Sequence, residues 1–298
     1  MENKRLTFSQ KHPFIFGFFL IVMAMVFLYI AMAFFSFAKK NLNLPFLTQK
    51  KIGIVNIKGT ILNSKDIIEW LDTLKKDPNV IGIIIRLDSP GGAVAPSQEI
   101  YEAVKQADHV KPVIASMGSI AASGAYYISV GARAIVANPG TITGSIGVIA
   151  KLISFEKILK KIGIKDETIT SGKFKDTGSP FRTMSQEEKR YIQNVVNDLY
   201  NQFVEAVASG RKMDKEKVKK LADGRVYTGK QAKELGLVDY LGNLDYAISI
   251  LKKMVNIKEH VRVIEGPEEK RSLLQRLLGI KNMNEMGGEV WGFFYLWI

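Results

Sequence analysis

The chain has 298 residues, 47% of them apolar, enough for a membrane segment and one large folded domain. It contains no cysteine, which excludes disulfides and thiol chemistry. Its formal charge is +13, but the lysines are spread along helix-like faces without the interleaved aromatics of a nucleic-acid surface. Attraction to anionic lipid head groups accounts for the excess more simply, so membrane lipid is an expected partner and nucleic acid is not.

Residues 1–13 form a basic segment with Lys4, Arg5 and Lys11. From Phe14 to Ala38 no residue is charged, and at about 1.5 Å per residue this stretch is long enough to cross a bilayer. Residues 14–38 are therefore predicted to be a transmembrane helix. Ala31-Met32-Ala33 has the small-residue spacing of a signal-peptidase site, but the apolar run before it exceeds the roughly 7–15 residues of a cleavable signal, which favours an uncleaved anchor. Lysines flank both sides, so charge alone leaves the orientation undecided. Residues 39–50, with Pro45, read as a linker.

A folded domain is predicted over residues 51–255. Lys51 to Ile57 starts a strand that Lys58-Gly59 ends, and Asp66 to Lys76 carries Ile67, Ile68, Leu71 and Leu74 at helical spacing. Val80 to Leu87 is nearly continuous apolar sequence, as expected of a strand covered on both faces. A helix over Pro96 to Gln106 and strands at Pro112 to Ala115 and Ala134 to Val136 continue the alternation. That order predicts an α/β fold with a mainly parallel sheet.

Ser123 lies where the strand at Pro112 gives way to a helix starting near Ala125, flanked by Ala121, Ala122 and Gly124. Nothing bulky crowds its hydroxyl, and the following N–H sits near a helix N-terminus that favours negative charge. This suits a nucleophile, although a helix cap or packing spacer has the same appearance. Ser89-Pro90-Gly91-Gly92 follows the second strand, and its glycines let backbone N–H groups approach a ligand, as in an oxyanion hole or in a plain turn. A serine nucleophile needs a base. The three histidines, His12, His109 and His260, sit before the apolar segment, at a helix end and near the basic tail, so a Ser-His-Asp triad has weak support. Lysine can replace histidine when an apolar site keeps its amine neutral, and the loop Ser171 to Arg182, which follows the strand-like Glu167 to Thr170, offers Lys173 and Lys175.

Five ordered segments carry a more specific signal. Asp88-Ser89-Pro90-Gly91-Gly92, Ala121 to Tyr127, Thr141 to Val148, Ser171 to Asp176 and Gly224 to Asp239 resemble the signatures of the signal peptide peptidase A family, over roughly Lys51 to Leu251. The resemblance implies a membrane-bound serine protease with a Ser/Lys dyad on the Clp-protease/crotonase type of fold, and a catalytic domain outside the cytoplasm. It implies Ser123 as nucleophile, Lys175 as general base, Gly92 and Gly124 as oxyanion donors, and Gly91 and Ser145 in support. It implies no metal and no cofactor, cleaved signal peptides as substrates, and a homo-oligomer like its ring-forming relatives. Crotonase-type acyl-CoA chemistry, a catalytically inactive scaffold and a protease for stomatin-like membrane proteins are the competing readings. Ser-x-x-Lys pairs at Ser36/Lys39 and Ser154/Lys157 occur without Lys-Thr-Gly and read as chance.

Ser185 and Glu188 form a capping box before a helix to about Ser209, whose stripe, including Leu199 and Phe203, reads as ordinary packing. Asp214 to Ala222 is a shorter helix, and Thr228 caps another that Gly236 ends. The tail, residues 256–298, holds an interfacial-helix pattern at Ser272 to Ile280 and, after Gly287-Gly288, the apolar run Val290 to Ile298. That run is too short to span a bilayer. Three readings fit it: insertion at the membrane surface, which its aromatic residues favour, packing on another subunit, or occupation of the protease's own groove.

Overall fold

The computed structural model describes residues 12–41, 49–267 and 292–296, and its contacts divide the chain into two units between Gln49 and Lys50. The first unit contains α1 (Pro13–Asn41). Pro13–Phe37 of this helix is long and apolar enough to cross a membrane, and its side chains are unburied all round, as a lipid-facing helix requires. Residues 1–11 of the basic segment, 42–48 of the linker and the interfacial-helix pattern at Ser272 to Ile280 lie outside the described residues.

The second unit opens with β1 (Lys51–Lys58), α2 (Lys65–Lys76), β2 (Val80–Ser89), β3 (Gly91–Ala93), α3 (Val94–Val110), β4 (Val113–Ala122), α4 (Gly124–Ser129), β5 (Ala134–Ala137), β6 (Ile142–Gly144) and β7 (Ile149–Lys151). It continues with α5 (Glu156–Lys161), α6 (Gln186–Arg211), α7 (Lys215–Leu221), β8 (Val226–Thr228), α8 (Gly229–Glu234), β9 (Tyr240–Leu241), α9 (Leu244–Met254), β10 (Arg262–Gly266) and β11 (Gly292–Leu296).

The main sheet runs β10-β1-β2-β4-β5-β9, all parallel, with β6 added parallel to β4 and β8 antiparallel to β6. The register aligns Ile54, Ile84 and Ile114 in one row and Val55, Ile85 and Ala115 in the next. The first row is buried beneath Ala247, Ile250 and Leu251 of α9. The second belongs to the larger core, with Leu71 and Leu74 of α2 and Ile100 and Val104 of α3. Because helices cover both faces, Val80 to Ile85 of β2 carry no polar side chain at any successive position, which is the nearly continuous pattern read from the sequence.

Two features depart from the sequence reading. Glu167 to Thr170 forms no strand, and Ile169 is 99% exposed: β-branched residues favour a strand only when another strand pairs with them. A second, antiparallel sheet, β3-β11-β7, lies beside the first and includes part of the apolar tail. Ile84 is fully buried at the centre of the main sheet. Replacing it by Ala should lower unfolding free energy by about 2–5 kcal/mol, measured by urea denaturation in detergent.

Candidate active site

The site grows from the carboxyl end of β4. Its last residues Ile120, Ala121 and Ala122 pair with Ile142, Thr143 and Gly144 of β6, and the chain then turns sharply into α4. Ser123 makes that turn with φ 53° and ψ −116°, an unfavourable backbone for a residue with a Cβ. Such a conformation costs on the order of 1–3 kcal/mol and persists only where surrounding structure holds it. Here the Ser123 N–H donates to Gly144 O at 2.8 Å, and its carbonyl accepts from Tyr127 N at 2.8 Å. The side chain makes no capping bond to α4, so the helix-cap reading of this serine fails. A strained strand-to-helix turn presents a hydroxyl free of its own backbone, the geometry of the nucleophile turn in α/β hydrolases.

β3 approaches from the end of β2. Ser89 Oγ accepts from Gly91 N at 3.1 Å, while Ile61 N donates to Gly91 O and Ala93 N donates to Ile61 O, each at 2.8 Å. Gly91 has φ +106°, and a Cβ there would stand 2.1 Å from the Tyr295 carbonyl oxygen and 2.7 Å from Gly124 N. A Cβ on Gly124 would stand 3.2 Å from both Gly92 N and the same Tyr295 oxygen. Two backbone nitrogens and one peptide carbonyl oxygen thus share a volume that only glycines leave open.

That carbonyl belongs to β11. Phe294, Tyr295 and Leu296 pair antiparallel with Ala93, Gly92 and Gly91, and Gly292, Phe293 and Phe294 with Lys151, Ala150 and Ile149. The tail segment 292–296 therefore lies between β3 and β7, and the membrane-surface position favoured by its composition gives way there to strand pairing that satisfies its backbone. Leu199 and Phe203 are more than a packing stripe. Phe203 packs on Tyr295 with ring centroids 4.7 Å apart, and Leu199 O accepts from the Tyr295 hydroxyl at 3.1 Å. The signal for this was the aromatic run itself, which composition alone does not pair with a particular edge.

Ser145 is buried, with φ 50°, and its N–H donates to Arg225 O at 2.8 Å. It borders a cleft of about 550 Å³ with Ile149, Val196 and Tyr200. Lys175 lies in a turn, exposed, with its N–H donating to Gly172 O at 3.0 Å. The structure brings together Ser123, Gly91, Gly92 and Gly124, and no hydrogen bond joins Lys175 to them among the described residues. Lys173 is engaged elsewhere, paired with Glu187 at 2.6 Å.

The loop carrying Lys175 is anchored through its neighbour. Arg182 donates to Asp176 Oδ2 at 2.6 Å and to Glu188 at 2.5 and 3.0 Å, while Glu188 closes the capping box with Ser185. The Arg182 hydrogen bond, followed by the Ser185 backbone N–H, holds the Glu188 carboxyl down to about 2. Since this lies below the ordinary value of about 4.3, the contribution of Glu188 to stability is complete above that pH and is lost as pH falls toward 2. Glu188→Gln should lower stability by about 1–3 kcal/mol at pH 7, and in thermal melts the gap from the unsubstituted chain should close between about pH 4 and pH 2.

The profile of peptidase family S49 matches residues 105–258. A putative protease of Synechocystis sp. is 42% identical over 236 residues, 78% of this chain and 84% of that protein. A putative protease of Methanocaldococcus jannaschii is 41% identical over 206 residues, 69% of this chain and 66% of that protein. A putative signal peptide peptidase SppA of Enterococcus faecium is 39% identical over 220 residues, 74% of this chain and 64% of that protein, so the chain spans slightly less than two thirds of the second and third relatives. With its family profile, these relatives and a parallel sheet that ends in the Ser123 turn, the chain belongs to peptidase family S49, serine proteases of Clp-protease/crotonase-like fold.

Proposed function

We propose that this chain is a membrane-anchored serine endopeptidase that degrades remnant signal peptides and other apolar segments. The observation that carries the reading is the strained Ser123 turn beside Gly92 N and Gly124 N, with a peptide carbonyl oxygen lying among them. Ser123 Oγ attacks the substrate carbonyl carbon, and the two N–H groups stabilise the negative oxygen that forms. The amine of Lys175 accepts the serine proton and returns it to the leaving nitrogen as the peptide bond breaks. Water, deprotonated by the same amine, then hydrolyses the acyl-enzyme and restores the serine. Gly91 keeps the oxyanion site open, and Ser145 orients the amine. No metal or cofactor enters the chemistry, α1 is the anchor, and the catalytic domain faces away from the cytoplasm.

Lys175 is delivered by a neighbouring copy in a homo-oligomer. Supporting this, its segment is exposed together with Ile158, Ile162, Ile164, Ile169 and Phe181, an apolar surface of the kind that packs on a partner. A fluorophosphonate probe should label Ser123, an outcome that acyl-CoA chemistry and an inactive scaffold do not give. Ser123→Ala and Lys175→Ala should each lower kcat on a synthetic signal peptide by at least about 10³-fold. Assembling the two inactive variants together should restore activity in mixed oligomers, and full activity in either variant alone would remove that residue from the mechanism. Because a lysine accepts a proton only when neutral, the rate should rise from about pH 6 to about pH 9 in the folded enzyme.

A further inference from the structure

Among the described residues the Lys175 side chain makes no hydrogen bond or ion pair, while its neighbours on both sides reach α6 or the cap of that helix. Before it, Lys173 Nζ pairs with Glu187 at 2.6 Å, and the Phe174 ring stacks on Tyr191 at 5.2 Å and 30°. After it, the Asp176 carboxylate accepts from Arg182 Nε at 2.6 Å and the Asp176 carbonyl from Arg182 Nη2 at 2.8 Å. The Thr177 hydroxyl donates to Glu188 at 3.3 Å. Glu187, Glu188 and Tyr191 all lie in the first two turns of α6.

These contacts differ in weight. Lys173 and Glu187 are largely exposed, and an exposed ion pair contributes little. Arg182 is half-buried, and its planar fork joins Asp176 to Glu188, whose two carboxylate oxygens accept at 2.5 and 3.0 Å. Glu188 is itself buried, and the Ser185 N–H donates to it at 2.7 Å. The guanidinium thus fastens the lysine turn to the capped end of a 26-residue helix. A turn without such an anchor samples many conformations, and a base displaced by about 1 Å loses on the order of 100-fold in rate.

We propose that Arg182, with Tyr191 on the other side of the turn, is a positioning residue for the general base, holding Lys175 where its amine meets the serine hydroxyl. The proposal rests on the Lys175 reading above for its catalytic consequence, and on the Arg182 and Tyr191 contacts alone for the clamp. Neither residue touches the reacting atoms, so each acts only through the lysine. That gives the clamp a signature: it matters only in a chain whose lysine is present.

The test uses the full-length protein in detergent and a synthetic signal peptide. Arg182→Ala should lower kcat by about 10- to 100-fold with KM changed by less than about twofold, and fluorophosphonate labelling of Ser123 should slow by the same factor. Arg182→Lys, which keeps the charge without the fork, should lose about three- to tenfold. Tyr191→Ala leaves the Arg182 ion pairs in place and should also lose about three- to tenfold, so the test stands even where Arg182→Ala does not fold. In a Lys175→Ala background either alanine substitution should change the residual rate by less than about twofold, because no base remains to be placed. A loss as large in that background as in the unsubstituted chain would overturn the proposal. So would full kcat in both Arg182→Ala and Tyr191→Ala beside an inactive Lys175→Ala, and both results leave the Lys175 reading standing. Full activity in Lys175→Ala would sink that reading, and the clamp with it.

Discussion

The structure depends on how β4 is bent. Leu87 of β2 pairs with Met117, and two residues later Ser89 pairs with Ala121, so β4 spends four positions where β2 spends two. Gly118 to Ile120, three residues opposite Asp88 alone, leave N–H groups without a partner on β2. Asp88 supplies one: its Oδ1 accepts from Ser119 N and Ile120 N, both at 3.1 Å. Such a bulge swings the end of a strand without breaking the sheet, and here it carries Ala121, Ala122 and Ser123 onto β6. The serine's unfavourable φ is then set by pairing on both sides, and not by its own side chain.

The same bend places the two halves of the site on neighbouring strands. Gly91 and Gly92 follow β2, and Ser123 and Gly124 follow β4, both at carboxyl ends, where α/β sheets open a crevice for ligands. Hydroxyls complete the buried polar accounting: Thr141 Oγ1 donates to Gly118 O and Thr143 Oγ1 to Ala121 O, each at 2.7 Å. Arg86 donates to Ser116 Oγ at 3.0 Å and to Met117 O at 3.1 Å, just before the surplus begins. Polar groups buried this close to the site would each be costly if left unpaired, so the motif residues around Ser123 act as its scaffold.

This division explains what was legible in the sequence. The α/β alternation, the apolar helix expected over 14–38 and found over 13–41, the capping box at Ser185, the cap at Thr228 and the serine turn all follow from local rules of spacing and backbone preference. Lys175 came from resemblance, because local chemistry does not choose one exposed loop lysine from many. The strand at Gly292–Leu296 was not read from the sequence, which favoured the membrane surface for this run, since its pairing with Gly91 to Ala93 joins positions far apart in the chain and no local pattern encodes a partner. Phe203 looked like core because it is core, with Tyr295 as part of what it packs against.

The groove has a physical need for the strand it holds. β3 and β7 each present an edge, and three-residue strands of this kind gain little from pairing unless something lies between them. An extended peptide supplies the missing hydrogen bonds whatever its sequence, as in other strand-addition sites, so backbone pairing gives affinity but little selectivity. What distinguishes one strand from another at such an edge is its side-chain packing, here the Tyr295 ring against Tyr127 and Phe203. A tail ending in an apolar aromatic run meets both requirements, covering the open edges and supplying that ring. Edge protection is then a property of the β3-β11-β7 sheet, in which β11 keeps the edges of β3 and β7 from pairing with another strand.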